Sequence, residues 1–220
     1  MHLGTLQVLS EEGKTKYAGI KYEYPLNHIY KFYLSVIGDV FPALAREEIA
    51  KTAIENDMDY IFMIDDDMLS EVDLFEKLVM HNVDIVAPLA FTRFAPHKPV
   101  IYNLEDGYDK VTNLNYYINR PILTYPKNSL IECDAVGFGA VLIKTKVLRG
   151  MDKPWFMSTS GAGEDIQFCF NAKKAGYKVF MDTATKLGHL GAPKVVTEEV
   201  YEKEENIKEL RKIYGDFKKR

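Results

Sequence analysis

Tyr60-Ile61-Phe62-Met63-Ile64 is an uninterrupted apolar run that ends directly in three carboxylates, Asp65-Asp66-Asp67. Five apolar residues are too few for a helix of ordinary length and suit a short strand covered on both faces. Such a strand needs helices beside it, and the flanking sequence supplies them. Upstream, Ala45, Ile49, Ala53 and Ile54 recur at helical spacing, with Arg46, Glu47, Glu48, Lys51 and Glu55 on the other face. Before that helix, residues 32–37 form a β-branched and aromatic run ended by Gly38-Asp39, which predicts a strand and a turn. Downstream, Ser70 and Asp73 are spaced as a capping box ahead of a helix carrying Leu74, Phe75 and Leu78. Residues 83–87 then read as a further strand, stopped at Pro88. Strand and helix in alternation predict an α/β domain with a mostly parallel central sheet.

The rest of the chain extends this plan. Residues 97–132 are rich in Tyr and Asn, with Asp106-Gly107 suited to a hairpin turn, and predict an irregular or small antiparallel element. Residues 135–143 read as one buried strand whose Gly137 and Gly139 permit close backbone approach. A small-residue loop, residues 158–163, leads into a helix over residues 164–175 that Gly176 terminates. Residues 178–182 predict another strand. Val200, Ile207, Leu210, Tyr214 and Phe217 then mark an amphipathic C-terminal helix. Residues 5–9 suit a first strand.

Composition narrows the class. With 220 residues, 47% hydrophobic and 27% charged, the chain can bury a substantial core, and no internal repeat or linker divides it. A net charge of −4 gives no bulk electrostatic reason to bind nucleic acid. Apolar stretches such as residues 135–143 fall short of the roughly 20 residues that a membrane span requires. The first residues, Met1-His2-Leu3-Gly4, lack a basic region followed by an apolar one. Cys133 and Cys169 form no CxxC pair, so the expectation is a cytoplasmic protein with two reduced, buried thiols.

The acidic cluster stands where ligands collect in α/β sheets, at the carboxyl end of a strand. Three adjacent carboxylates repel one another unless a cation neutralises them. In an extended segment Asp65 and Asp67 point the same way and offer two hard oxygens to one Mg²⁺ or Mn²⁺. A solvated acidic turn or a helix cap is the plain alternative. Glu164-Asp165 puts two more carboxylates at a helix start, where the helix dipole favours them in any case. His189 lies in Gly188-His189-Leu190-Gly191, where it is either structural or a further metal ligand.

These motifs occur in a recognisable order. Ile61 to Met68 come first, followed by Cys133-Asp134 with the Ala135 to Ile143 run. Lys153-Pro154-Trp155-Phe156, Gly163-Glu164-Asp165, Ala175 to Asp182 and Gly188-His189-Leu190-Gly191 complete the series. From Arg46 to Gly191 the chain resembles the GT-A glycosyltransferases, in particular the compact viral, bacterial and archaeal enzymes of the family 2-like type. The resemblance implies a Rossmann-like GT-A domain over residues 1–220, with a nucleotide-binding half at 1–95, an acceptor and catalytic half at 96–191, and a helical tail at 192–220. It implies a UDP- or GDP-sugar donor, Mn²⁺ or Mg²⁺, and a glycan, lipid-linked or protein acceptor.

By the same resemblance, Asp65 and Asp67 form the DxD motif. Asp65 or Asp66 would meet the ribose or a metal-bound water, Asp65 and Asp67 would serve the metal, and His189 would be an additional ligand. Asp165 would be the general base of an inverting reaction, with Glu164 orienting the acceptor or sharing that role. Arg46 and Arg93 would touch the diphosphate or the acceptor; for Arg46, a solvated helix position is the alternative. Trp155 would stack on a sugar beside a mobile lid containing Gly161 and Gly163, or else pack in the core. The chain departs from the family after its first strand, where Ser10-Glu11-Glu12-Gly13 lacks the Pro-containing loop that meets the nucleotide base.

Two other functions share these residues. One is metal-dependent nucleotidyl or phosphoryl transfer, against which stands the lack of a Walker-type loop. The other is a catalytically silent nucleotide-sugar-binding domain. For the tail, Lys212, Lys218, Lys219 and Arg220 suit peripheral contact with an anionic membrane; packing on the domain or in a homodimer is the alternative.

Overall fold

A computed structural model describes residues 18–23, 29–35, 37, 40–109, 114–159, 162–191 and 195–217. The expected first strand at residues 5–9, the loop after it and Gly161 lie outside the described residues. The described chain opens with a hairpin of β1 (Ala18–Glu23) and β2 (Ile29–Leu34), in which Ala18 faces Leu34. The strand expected at residues 32–37 thus ends earlier and belongs to a separate two-stranded sheet.

Next come α1 (Pro42–Glu55), β3 (Tyr60–Ile64), β4 (Met68–Leu69), α2 (Leu74–Met80) and β5 (Ile85–Leu89). The middle of the chain supplies β6 (Ile101–Asp109), β7 (Leu114–Pro121), β8 (Leu130–Cys133), β9 (Ala135–Val136) and β10 (Ala140–Lys144). There follow α3 (Thr145–Arg149), α4 (Glu164–Lys174), β11 (Val179–Lys186), β12 (Gly188–Leu190), β13 (Val195–Val196), α5 (Glu198–Tyr201) and α6 (Glu204–Tyr214).

Among the described residues the central sheet has the order β3-β10-β5-β11-β8. Within it only β5 and β11 run parallel; β10 is antiparallel to both β3 and β5, and β8 is antiparallel to β11. The mostly parallel, Rossmann-like sheet expected from the sequence is therefore corrected to a mixed α/β sheet. Burial on both faces makes a strand apolar throughout whatever its direction, so the apolar runs carried no record of polarity.

The sheet is covered on both sides, as β3 requires. Ile61, Met63, Ala87, Val141, Ile143 and Met181 face the larger core, which is closed by Ala50 and Ala53 of α1, Phe168 and Cys169 of α4 and Leu210 of α6. Val86, Ala140 and Leu142 face the other way, onto Leu74 and Leu78 of α2. The capping box expected before α2 does not form: Asp73 is the N-cap and makes no side-chain cap bond. Pro88 lies inside β5 instead of ending it, at a point where pairing with β10 has already stopped at Val86. Proline is tolerated there because no ladder bond is demanded of it on that side.

The buried run at residues 135–143 is broken into β9 and β10, which belong to different sheets. Between them, a Cβ at Gly139 would lie 2.5 Å from the Met68 methyl carbon, so a larger residue there would require that side chain to move. The Tyr-rich segment forms the β6–β7 hairpin, but Asp106 and Gly107 pair with Tyr117 and Tyr116 inside it. β6 ends at Asp109 and β7 begins at Leu114, and the residues between them lie outside the described residues. Helix α4 ends as expected, with Gly176 at φ +90°. Cys133 and Cys169 are buried free thiols, and burial pushes Cys133 up to about 12.

The C-terminal segment packs on the domain. Tyr201 stacks on Phe91 with ring centroids 5.0 Å apart, and Leu210 is fully buried. Among the described residues no helix is long and apolar enough to cross a membrane. Leu210→Ala is expected to lower stability by about 3 kcal/mol through the cavity it leaves. Ile213→Ala, at a side chain 60% exposed, should change it by less than about 0.5 kcal/mol. Urea unfolding of the two variants checks this, and a neutral Leu210→Ala would show that α6 is not part of the core.

Candidate active site

β3 delivers Asp65 to the edge of the domain, where its amide donates to the Gly139 carbonyl at 2.8 Å. The chain then turns at once, with Met68 N bonded to Asp65 O at 3.2 Å. The acidic segment is thus a turn, and the extended arrangement that would aim Asp65 and Asp67 at one point is corrected. Each of the two meets a different cation, and Asp66 is exposed between them. Among the described residues no three His, Cys, Asp or Glu side chains converge as a metal site.

Asp65 meets Arg46. The guanidinium donates to both Asp65 carboxylate oxygens at 3.0 and 3.2 Å and to the Phe138 carbonyl at 3.0 Å. It also pairs with Glu164. Its side chain is only 8% exposed, so Arg46 is an interior link and not the solvated helix residue of the alternative reading. Arg46, Ala50 and Ala53 are the buried residues of α1, and the i, i+4, i+7 spacing that joins them was a signal available in the sequence. Partial burial outweighs Arg46 at Asp65 and raises its carboxyl above the ordinary range.

Glu164 and Asp165 occupy the first turn of α4 but face different surroundings. Glu164 meets Arg46 and, at 3.4 Å, the Ser158 hydroxyl. Asp165 turns back onto the backbone, accepting from Ile166 N at 2.7 Å and from the Phe138 amide. Gly163 gives that carboxylate its space, since a Cβ at Gly163 would lie 2.9 Å from Asp165 Oδ1. Burial raises Asp165 above its usual value; the partly buried Tyr102 phenol is likewise held up by desolvation, with the charge of Asp165 adding to it.

Asp67 meets His189 and Arg93. β4 and β12 are joined with His189 opposite Met68, and Leu190 N donates to Asp67 O at 2.9 Å. This small sheet brings His189 Nε2 to 3.2 Å from Asp67 Oδ2, while Nδ1 lies 2.8 Å from the Phe91 carbonyl. Both ring nitrogens therefore face oxygens. With Nδ1–H donating to the carbonyl, Nε2 is left to a second proton or to a cation. Two ligands held at right angles about 2.1 Å from an octahedral ion are about 3 Å apart, so the spacing of this pair suits cis ligation. Arg93 is paired with the same Asp67 oxygen.

Arg93 is carried on a tight hairpin loop. Thr92 N donates to Lys98 O at 2.9 Å, and Phe91 bridges to Pro99. Asn206 of α6 holds that loop from below, accepting from His97 N at 2.7 Å and donating to His97 O at 2.8 Å. Nothing in the local sequence signalled Asn206. Glu47 was also missed; its carboxylate accepts from Trp155 N and Phe156 N, both at 2.9 Å.

Trp155 is 2% exposed and its indole nitrogen donates to Leu148 O at 2.9 Å. It is therefore a core residue, and its ring is not presented for a sugar to stack on. Ahead of α4, Thr159 N is bonded to Ala162 O at 2.9 Å and Thr159 Oγ1 lies 3.3 Å from the Gln167 side-chain oxygen. A cleft of about 550 Å³ lies at the opposite end of β3, lined by Asp57, Tyr60, Lys144, Lys146 and Arg149. Two of its cations are already paired, Lys146 with Asp84 and Arg149 with Asp57, and Lys144 donates to Asn82.

No protein-family model and no curated protein sequence matches the chain. Among solved structures it is similar to A197 from STIV, at 18% identity and a TM-score of 0.49 over 68% of each chain. It is also similar to GalNAc-T7 crystallised with UDP, GalNAc and Mn²⁺, at 15% identity and a TM-score of 0.44. That second match covers 67% of this chain and 30% of the other, so the chain spans under a third of its length. At these values neither similarity assigns a function.

Two substitutions test the site's energetics. Arg46→Leu strands Asp65 and Glu164 and is expected to destabilise the protein by about 3 kcal/mol, measured by chemical unfolding. Asp165 acts in the opposite sense. Because its folded-state value is raised, the folded protein holds that proton more tightly than the unfolded chain, and stability falls as pH rises through the raised value. Asp165→Asn keeps the shape without the charge. It should melt above the wild type at pH 7, and this advantage should vanish below about pH 4.

Proposed function

We propose that this protein is a GT-A-type glycosyltransferase that moves a hexose from a UDP- or GDP-sugar to an acceptor hydroxyl, with Mn²⁺ or Mg²⁺. The observation that carries this reading is the Asp67–His189 pair, at 3.2 Å with Nδ1 committed to the Phe91 carbonyl. It lies at the end of β3 in the same acidic turn as Asp65, which Arg46 ties to Glu164 at the start of α4.

In this reading Asp67 and His189 hold the cation, and Asp65 fixes the turn through Arg46. The cation supplies charge neutralisation at the diphosphate of the donor. Asp66, exposed at the tip of the turn, is free to meet the nucleotide. Asp165 takes the proton of the acceptor hydroxyl as the new bond forms. A carboxyl raised by burial is a stronger base than an ordinary one, which suits the role. Glu164, paired with Arg46 at the start of α4, orients the acceptor. Residues 1–95 then form the donor half and 96–191 the acceptor half, with 192–220 as the tail.

The test is thermal unfolding in UDP or GDP with Mn²⁺. A nucleotide at about a hundred times its Kd should stabilise the protein by about 2.7 kcal/mol. The stabilisation should require the metal and disappear in Asp67→Asn. No shift with either nucleotide would overturn the proposal. Asp165→Asn should retain the nucleotide-dependent shift while transfer drops by about a hundredfold or more. Unchanged activity in that variant would move the assignment to a binding domain.

A further inference from the structure

Arg46 and Arg93 both pair with carboxylates of the acidic turn, but they are held in very different ways. Arg46 is 8% exposed and has four acceptors: two Asp65 oxygens, Glu164 and the Phe138 carbonyl. Arg93 is 38% exposed and pairs through one terminal nitrogen with Asp67. Its Nε is buried with no hydrogen-bond partner. An unpartnered buried N–H is unfavourable, and a guanidinium used on one side only has an unfilled fork. Arg46 is a permanent link, whereas Arg93 is exchangeable.

The oxygen that Arg93 occupies is Asp67 Oδ2, which also faces His189 Nε2 at 3.2 Å. A divalent cation at this pair would need that same oxygen. Sharing it with a guanidinium at contact distance is unfavourable, because the two cations repel there. The loop that carries Arg93 is tied down by the Thr92–Lys98 and Asn206–His97 bonds. The movable part is therefore the side chain and not the hairpin.

We infer that Arg93 is a resident cation at Asp67, which a divalent ion displaces and a diphosphate then recaptures, so that metal and diphosphate bind as a coupled pair. The inference rests on the proposed function, from which it takes the metal and the diphosphate. Displacing Arg93 opposes binding of the metal alone. A diphosphate offers the freed fork a bidentate anion, and the loss is recovered. By linkage, each ligand then strengthens the other. The device disfavours a site loaded with metal and no donor.

Equilibrium dialysis of Mn²⁺ against the full-length chain tests this, alone and with inorganic pyrophosphate, with affinities referred to the free cation. The wild type should bind Mn²⁺ weakly alone and about tenfold or more tightly with pyrophosphate. Arg93→Gln should bind Mn²⁺ alone about tenfold or more tightly than the wild type and gain less from pyrophosphate than the wild type does, keeping only what the cation's own contact with the diphosphate supplies. Arg93→Lys, which keeps the charge, should remain close to the wild type with Mn²⁺ alone; a loosened loop would not make that distinction. If the wild type binds Mn²⁺ and Arg93→Gln binds it no more tightly, the inference fails and the proposed function stands. If neither protein binds Mn²⁺ under any condition, both fail.

Discussion

The Arg46 guanidinium, nearly enclosed below the end of β3, joins three parts of the chain that are distant in sequence. It meets Asp65 in the acidic turn, Phe138 in the turn between β9 and β10, and Glu164 at the start of α4. Removing an arginine from water is costly unless its donors are filled. Here they are filled only if the three parts arrive together. The same link sets the electrostatics of the site, because one buried cation offsets two of the carboxylates crowded at this corner.

With Arg46 assigned to Asp65 and Glu164, the remaining acids are left to different partners. Asp67 turns to His189 and Arg93, and Asp165 turns to the α4 backbone. Asp67 and Asp165 thus have separate surroundings, the first partly exposed beside a histidine and the second largely buried against the backbone. In the proposed function, that difference in environment is what suits Asp67 to be a ligand and Asp165 to be a base. Arg46 thereby does more than hold the corner together: by occupying Asp65 it leaves Asp67 as the carboxylate of the turn that faces His189.

Much of the plan was legible because the responsible patterns are local. The five apolar residues of β3, the helical spacing in α1 and the Gly176 stop of α4 each act within a few residues, and each led to the right element. Strand direction was not legible, since Ala140 to Lys144 is as apolar as any parallel strand yet runs antiparallel to both neighbours. Nor was the break at Gly137-Phe138-Gly139, where the two glycines lie close to Val100 and Met68, residues distant in sequence. The site divided along the same line. The acidic turn, the Glu164-Asp165 pair and His189 were visible as motifs. The burial of Arg46, the enclosure of Trp155 by the core and the role of Asn206 depend on long-range contacts.

Asn206 shows what such contacts add. An asparagine on a charged terminal helix looks like an ordinary surface residue, yet here its amide is buried and bonded on both sides to the His97 backbone. That clamp joins α6 to the loop bearing Arg93, and so to Asp67. The buried apolar residues Ile207 and Leu210 that follow it on the same helix help supply the burial that makes the amide's hydrogen bonds count, because an exposed amide would exchange them for water at little net gain. The tail therefore acts on the site through packing. Its apolar stripe, which taken alone suits a membrane or a second subunit as well as the domain, is spent largely on the domain's own core.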